Sequence, residues 1–172
     1  MATEQPTDRP TQPLRDEHHD LLPLVDRLAQ AADEVGETPL PALRQELDAI
    51  DAFLTGKLLP RAQAEDAVLY PRLAGMLGTL EATSMMNRDH AHLQRLTEEL
   101  AAVRARLAGP RLRKADARAL RRILYGLSIL LRLHLEQEEV YLALLDARLS
   151  PEDAQTMFAA LEDATAKAGR HG

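Results

Sequence analysis

The sequence predicts an all-α protein, an up-down-up-down bundle of four long helices followed by a short fifth helix. Aromatic residues make up only 3% of the 172 residues, whereas Ala, Leu, Arg and Glu, which favour helices, dominate. Apolar residues recur at spacings of three and four, the period of an α-helix with one buried face. No segment is a substantial strand candidate. The connections are short, which favours antiparallel neighbouring helices.

The first two helices are bounded by glycine and proline. The first is predicted over residues 14–35, with Gly36 just beyond its end. The second opens within residues 38–41, where prolines suit the first helical turn. Pro60 should kink this helix or divide it, because proline lacks the N–H group and crowds the preceding turn. Its second part is predicted over residues 61–76.

The remaining helices also have clear limits. The third is predicted over residues 79–107 and is stopped by the Gly-Pro pair at residues 109–110. The fourth is predicted over residues 114–149. Residues 150–167 begin with Ser-Pro-Glu-Asp, which reads as a serine N-cap with proline at the first helical position, and they form the predicted fifth helix.

These helices give a simple domain organisation. Residues 14–149 are the predicted bundle and residues 150–168 the predicted C-terminal helix. Residues 1–13 are polar and proline-rich, without the apolar core of a signal peptide, and are predicted to be a flexible tail. Residues 169–172 are predicted to be a flexible end.

Composition excludes several classes of function. With 45% hydrophobic and 28% charged residues, the chain suits a single globular domain with one sizeable core. The net charge of −6 lacks the basic patch that nucleic-acid binding needs, and no apolar run approaches the ~20 residues of a membrane span. We therefore expect a cytoplasmic protein with neither a nucleic acid nor a membrane as partner. Because cysteine is absent, any metal must be held by nitrogen and oxygen atoms.

Three predicted helices each carry one histidine on the apolar face. His134 and Glu138 lie one turn apart on the buried row of the fourth helix, so they can chelate one ion together. His90 lies on an apolar row of the third helix and His18 on that of the first. Glu65 is the corresponding carboxylate of the second helix. Inward-facing His and Glu on separate helices of a bundle are a known way to build a dinuclear carboxylate site for iron or a similar metal.

Each of these residues also has a simpler interpretation. A lone histidine on an apolar face is more often a hydrogen-bonded core residue. Two buried carboxylates, however, need cations or a metal to neutralise them. His19 is less suited than His18 to point inward, and Tyr141 is a possible ligand or hydrogen-bond donor beside Glu138. Other polar side chains are expected to be solvated or merely packed, namely Asp66, Glu136, Tyr70 and Tyr125.

Four segments of the chain together resemble one known family. They are Leu-Arg-Asp-Glu-His at residues 14–18, Glu-Asp-Ala-Val-Leu-Tyr-Pro at 65–71, Asn-Arg-Asp-His at 87–90 and His-Leu-Glu-Gln-Glu-Glu at 134–139. Over residues 14–149 the chain is similar to the hemerythrin-like (HHE cation-binding) domains. The resemblance implies a four-helix bundle that encloses two non-haem irons, bridged by an oxygen atom and by carboxylates. It implies that the terminal ligands are His18, His90 and His134. It implies that the bridging ligands are Glu65 and Glu138. Glu139 is the rival of Glu138.

Two positions depart from the family pattern. Arg61 stands where the family has a histidine four residues before the glutamate, and a guanidinium does not lose its proton to become a ligand. Gln94 stands where the oxygen carriers have a second histidine on the third helix. Three interpretations remain open. Two irons could be held with water, His19 or an additional carboxylate filling the gaps. A single metal could be held by His90, His134 and Glu138, with His18 or water. Alternatively, Arg61 could pair with Glu65 in a bundle that has lost one half-site.

The function implied by the resemblance is a reaction with a small molecule. The family includes oxygen carriers, oxygen or iron sensors and proteins that decompose peroxide. Because nitrogen donors are missing here, sensing of dioxygen or nitric oxide, or the handling of peroxide, is favoured over reversible oxygen carriage. In the peroxide case, Arg61 is hypothesised to orient or stabilise an anionic peroxide species. The alternative is a zinc-binding or metal-free bundle that acts as a non-catalytic regulatory or interaction module.

Overall fold

The computed structural model describes residues 9–170, and within that range it contains five helices and no strand. Helices α1, α3, α4 and α5 are Gln12–Glu34, Ser84–Arg106, Lys114–Asp146 and Pro151–Ala168. Helix α2 consists of α-helical segments joined by two wider π-helical turns, in the order Leu40–Phe53, Leu54–Leu58, Leu59–Ala64, Glu65–Leu69 and Tyr70–Leu77. A short 3-10 turn, Leu80–Thr83, leads into α3.

Helices α1 to α4 form the bundle. Helix α4 packs against α1 and α3, and α2 packs against the same two helices, which closes the ring of an up-down-up-down bundle. Helix α5 lies outside this ring and packs along α2, against Leu59–Ala64 and Glu65–Leu69. The expected all-α bundle with a short fifth helix is therefore confirmed.

The helix ends follow the signals in the sequence. Helix α1 ends before Gly36, whose φ of 91° lies in the left-handed region that favours glycine. Helix α3 begins at Ser84, later than expected, because the residues before it form the 3-10 turn. The hydroxyl of Ser150 accepts a hydrogen bond from the backbone N–H of Asp153 at 3.1 Å, so the expected N-cap of α5 is present.

Helix α2 passes through its two internal prolines without dividing. A π-helical turn lies just before each of them, Leu54–Leu58 before Pro60 and Glu65–Leu69 before Pro71. A proline ring crowds the carbonyl group four residues earlier and cannot donate a backbone hydrogen bond. The wider turn contains that crowded carbonyl in both cases, so the helix widens at these points instead of ending.

Two hydrophobic clusters fill the bundle, and a polar layer lies between them. On every bundle helix, a residue of one cluster precedes the polar layer and a residue of the other follows it. The flanking pairs are Leu14 and Leu21 on α1, Ala62 and Leu69 on α2, Met86 and Leu93 on α3, and Leu131 and Leu142 on α4. The layer is therefore shielded by apolar side chains on both sides.

Two expectations concern the ends of the chain and the membrane. Residues 1–8 of the predicted tail and residues 171–172 of the predicted flexible end lie outside the described range. Between residues 9 and 170, no helix combines the length and the apolar character that crossing a membrane requires.

Candidate metal centre

The polar layer contains the five side chains that the sequence singled out as metal ligands. Helix α1 supplies His18, α2 supplies Glu65, α3 supplies His90, and α4 supplies His134 and Glu138. All five are at most 7% exposed. The helical periodicity brings them to the bundle axis, because each lies on the apolar row of its own helix.

Three of the five meet closely enough to hold one ion. One ligand atom from each of Glu65, His90 and His134 can be chosen so that all three lie within 4.8 Å of one another. The Nε2 atoms of the two histidines are 3.2 Å apart, and Nε2 of His90 is 3.3 Å from a carboxylate oxygen of Glu65. Two imidazole nitrogens and one carboxylate thus face a common point. We call these three residues the His/His/Glu trio.

His18 and Glu138 form a second group beside the trio. Nε2 of His18 lies 2.9 Å from Oε2 of Glu138, and the same oxygen is 4.0 Å from Nε2 of His134. The neighbouring Glu139 lies on the other side of His18, where its carboxylate is 3.1 Å from Nδ1. Of the two rival glutamates on α4, Glu138 therefore faces the trio and Glu139 faces away from it.

Each histidine turns its other ring nitrogen toward a carboxylate. Nδ1 of His18 faces Glu139, as described above. Nδ1 of His90 lies 2.8 Å from Asp66, and Nδ1 of His134 lies 3.4 Å from Asp89. In metal sites, a carboxylate on Nδ1 fixes the tautomer and leaves Nε2 free to bind the ion. The three inward Nε2 atoms therefore have the arrangement of metal-ligand atoms.

Arg61 borders the centre from the side of α2. Its Nε donates to Oε1 of Glu65 at 2.7 Å, and its Nη1 donates to Glu17 of α1. Its Nη2 is buried and has no hydrogen-bond partner among the described residues. Burial lowers the pKa of Arg61, but the charges of Glu65, Glu138 and Glu17 outweigh burial and raise it. Arg61 is therefore a fixed positive charge beside the two buried carboxylates.

The charges of the centre are balanced by Arg61 and His90. Burial raises the pKa of Glu65, but the charge of Arg61 and the hydrogen bond from His90 outweigh burial and lower it to about 2. Burial lowers the pKa of His90, but hydrogen bonds to Asp66 and Glu65 outweigh burial and raise it to about 9. A bound cation would take the place of the His90 proton, since only the unprotonated imidazole nitrogen binds metal.

One residue of the centre was missed in the sequence. The hydroxyl of Tyr70 lies 3.3 Å from Nε2 of His134 and donates to Glu138 at 3.3 Å. Burial, with the charges of Glu138 and Glu65, raises the pKa of Tyr70, so its hydroxyl keeps its proton. Its position next to a proline in the motif at 65–71 gave no sign of this inward direction.

Two other candidates lie away from the centre. His19 is exposed on α1. The hydroxyl of Tyr141 donates to the backbone carbonyl of Ala82 at 2.6 Å, which directs it toward the start of α3.

A small cavity reaches the trio. It measures about 30 Å³, room for a molecule the size of water or dioxygen. Its polar lining includes the trio, Arg61, Asp89 and Glu138, and its apolar lining includes Leu21, Val25, Leu93 and Leu131. An ion held by the trio would therefore have an adjoining position open to a small ligand.

The donor set fits a transition metal. Imidazole nitrogen and carboxylate oxygen together suit iron, manganese or zinc, and two histidines with one carboxylate are the facial set typical of non-haem ferrous iron with open positions. The outer carboxylates on the histidine Nδ1 atoms support the same fit.

Comparison with known proteins identifies one family model. The model described as the hemerythrin HHE cation binding domain matches residues 9–145, which include all five inward side chains and nearly all of the four bundle helices. No curated protein and no solved structure was found to match the chain. The matched range ends before α5.

Proposed function

Because this chain belongs to the hemerythrin HHE cation-binding domain family, we propose that it holds non-haem iron at the His/His/Glu trio and that this iron reacts with dioxygen, nitric oxide or peroxide. The observation that carries the proposal is the convergence of two Nε2 atoms and one carboxylate on a buried point that adjoins a cavity of about 30 Å³. Ferrous iron in such a ligand set supplies redox chemistry toward small oxygen- and nitrogen-containing molecules.

The geometry favours one ion over two. His18 and Glu138 could serve a second ion, as the resemblance implies, but α2 offers Arg61 where that ion would need a further ligand. Its guanidinium is already paired with Glu65 and adds a positive charge next to Glu138. Two positive charges in one buried position repel each other strongly. Two irons per chain is therefore the alternative stoichiometry, with water completing the second site.

The chain's own residues would bind the reactant, orient it and protect it from bulk water. The apolar clusters on either side exclude bulk water, which strengthens the electrostatic interactions within the layer. The Tyr70 hydroxyl keeps its proton and can donate it in a hydrogen bond to an acceptor near Glu138. Arg61 can attract an anionic reactant toward the cavity, because its Nη2 is an unused donor among the described residues.

Replacement of Arg61 tests whether peroxide is the reactant. In protein loaded with ferrous iron, Arg61→Leu should abolish hydrogen peroxide consumption and leave the metal content unchanged, because the guanidinium is not a ligand. Arg88→Leu, which removes an exposed arginine of α3, is the matched control and should retain consumption. Peroxide turnover that survives in Arg61→Leu would refute this role. If the protein instead senses dioxygen or nitric oxide, the visible spectrum of the iron-loaded wild type should change when that gas is added.

A second function is favoured by the ion pair of Arg61. With its guanidinium on both Glu65 and Glu17, Arg61 already supplies a cation to the layer. The bundle could then act as a zinc-binding or metal-free regulatory module. The visible spectrum discriminates between the two functions, because zinc and a metal-free layer do not absorb in the visible range.

A further inference from the structure

A row of exposed apolar side chains lies on the outer face of α4. Of the seven large hydrophobic side chains that are exposed within residues 9–170, four lie on this helix, namely Tyr125, Ile129, Leu133 and Val140. Ile129 is 60% exposed and Leu133 is 51% exposed. Their spacings of four, four and seven residues place them on one stripe of the helix, opposite the bundle. We call it the α4 stripe.

Apart from Val140, the α4 stripe is arranged symmetrically about Ile129. Tyr125 and Leu133 lie four residues before and after it, and Arg122 and Glu136 lie seven residues before and after it on the same stripe. In an antiparallel pair of α4 helices related by a two-fold axis at Ile129, each Tyr125 would face Leu133 of the second copy. Each Arg122 would likewise face Glu136 of the second copy. A parallel pair would instead bring like charges together.

We infer that the α4 stripe is the interface of a weak homodimer with antiparallel α4 helices. Self-complementarity of this kind is what a two-fold interface requires, since one surface must match itself. A single helix pair buries less than the roughly 1,000 Å² of a stable interface, so the dimer should depend on concentration. The ion pair of Arg122 with Glu99 is solvent-exposed and therefore easily exchanged.

Charge exchange across the interface provides the test. In analytical ultracentrifugation of the full chain at increasing concentration, wild type should dimerise. Glu136→Arg should weaken the dimer about tenfold, because it brings arginines together across the axis. The double variant Arg122→Glu with Glu136→Arg should restore it. Ile129→Glu should abolish it, while Met85→Glu, at an exposed apolar position of α3, should not. A monomer at every concentration, or no restoration in the double variant, would overturn the inference.

Discussion

At the scale of single residues, the centre depends on what lies behind each histidine. His18, His90 and His134 all direct Nε2 inward and Nδ1 toward a carboxylate. A carboxylate on Nδ1 holds the ring orientation and raises the basicity of the ligand nitrogen. These outer carboxylates would therefore support a bound metal together with the inward atoms.

Removal of one outer carboxylate should weaken metal binding without unfolding the protein. Asp66→Asn removes the charge that faces Nδ1 of His90, and we expect the affinity for ferrous iron to fall by about 10- to 100-fold. Anaerobic competition with a chromogenic chelator measures this affinity. Asp163→Asn, on the exposed face of α5, is the control. Equal affinities in both variants would show that Asp66 does not support the site.

Replacement of Tyr70 and replacement of Tyr141 should have different effects on the visible spectrum of the iron-loaded protein. Tyr70→Phe removes a hydroxyl that contacts His134 and Glu138, so the visible spectrum of the iron-loaded protein should shift. Tyr141→Phe removes a hydroxyl that donates to the carbonyl of Ala82, so the spectrum should stay as it is. A shift in Tyr141→Phe alone would reverse the assignment.

The sequence identified the five inward histidine and glutamate side chains but not their partners, among them Tyr70 and Asp66. His90 and Glu65 could be placed because each lies on an apolar row, and a row depends only on local helical periodicity. The contacts of Asp66 with His90 and of Tyr70 with His134 join different helices. They depend on the relative rotation and height of those helices, which periodicity alone does not determine.

At the scale of helices, the start of α1 is held by the end of α4. The backbone N–H and the hydroxyl of Thr11 both donate to Asp146, at 2.9 and 2.8 Å, and Arg15 donates to the other carboxylate oxygen at 3.0 Å. A carboxylate at the N-terminus of a helix satisfies free N–H groups and complements the helix dipole. Asp146 thus fixes the position of the helix that carries His18.

Loss of this contact should destabilise the bundle. Asp146→Ala should lower the free energy of unfolding by about 1–3 kcal/mol, since charged hydrogen bonds are lost. Urea unfolding at neutral pH measures this effect, and Asp163→Ala should change stability by less than about 0.5 kcal/mol. An equal effect of both substitutions would refute the role of Asp146 in holding the start of α1.

The contribution of Asp146 should also depend on pH. Burial raises the pKa of Asp146, but hydrogen bonds from Thr11 and Arg15 outweigh burial and lower it. A lowered pKa means that the stabilisation is present above the ordinary value of 3.8 and is lost as the pH falls through the folded pKa. The difference between wild type and Asp146→Ala should therefore shrink in strongly acidic urea titrations.

The two π-helical turns of α2 could not be predicted from the sequence. Pro60 indicated a disturbance, but a proline does not specify whether the helix kinks, divides or widens. Which of these occurs depends on packing, and here α5 packs along the widened part of α2. The second turn begins at Glu65 itself, and π-helical turns are frequent at functional sites.

At the scale of the whole molecule, the polar layer separates two hydrophobic clusters and connects all four bundle helices. An ion there would bind only the folded chain, because the trio comes from three different helices. Such binding stabilises the folded state by mass action, by about 2.7 kcal/mol when the free ion is at 100 times its Kd.

Metal removal should therefore lower the melting temperature. For a chain of this size, a loss of that amount corresponds to a decrease of about 5–10 °C. Differential scanning calorimetry of iron-loaded and chelator-treated protein measures the change. His134→Leu removes a ligand of the trio and should no longer respond to iron. A melting temperature independent of iron in the wild type would count against binding at this site.

The most direct test of the proposed iron centre is the metal content of the purified chain, measured by mass spectrometry together with its visible spectrum. Protein should be expressed with iron and purified without chelator, in parallel with His134→Leu and with His92→Leu, an exposed histidine of α3. We predict one iron per chain and iron-dependent absorption in the wild type and in His92→Leu, and the loss of both in His134→Leu. No metal in the wild type, only zinc, or iron that remains in His134→Leu would contradict an iron centre at the trio.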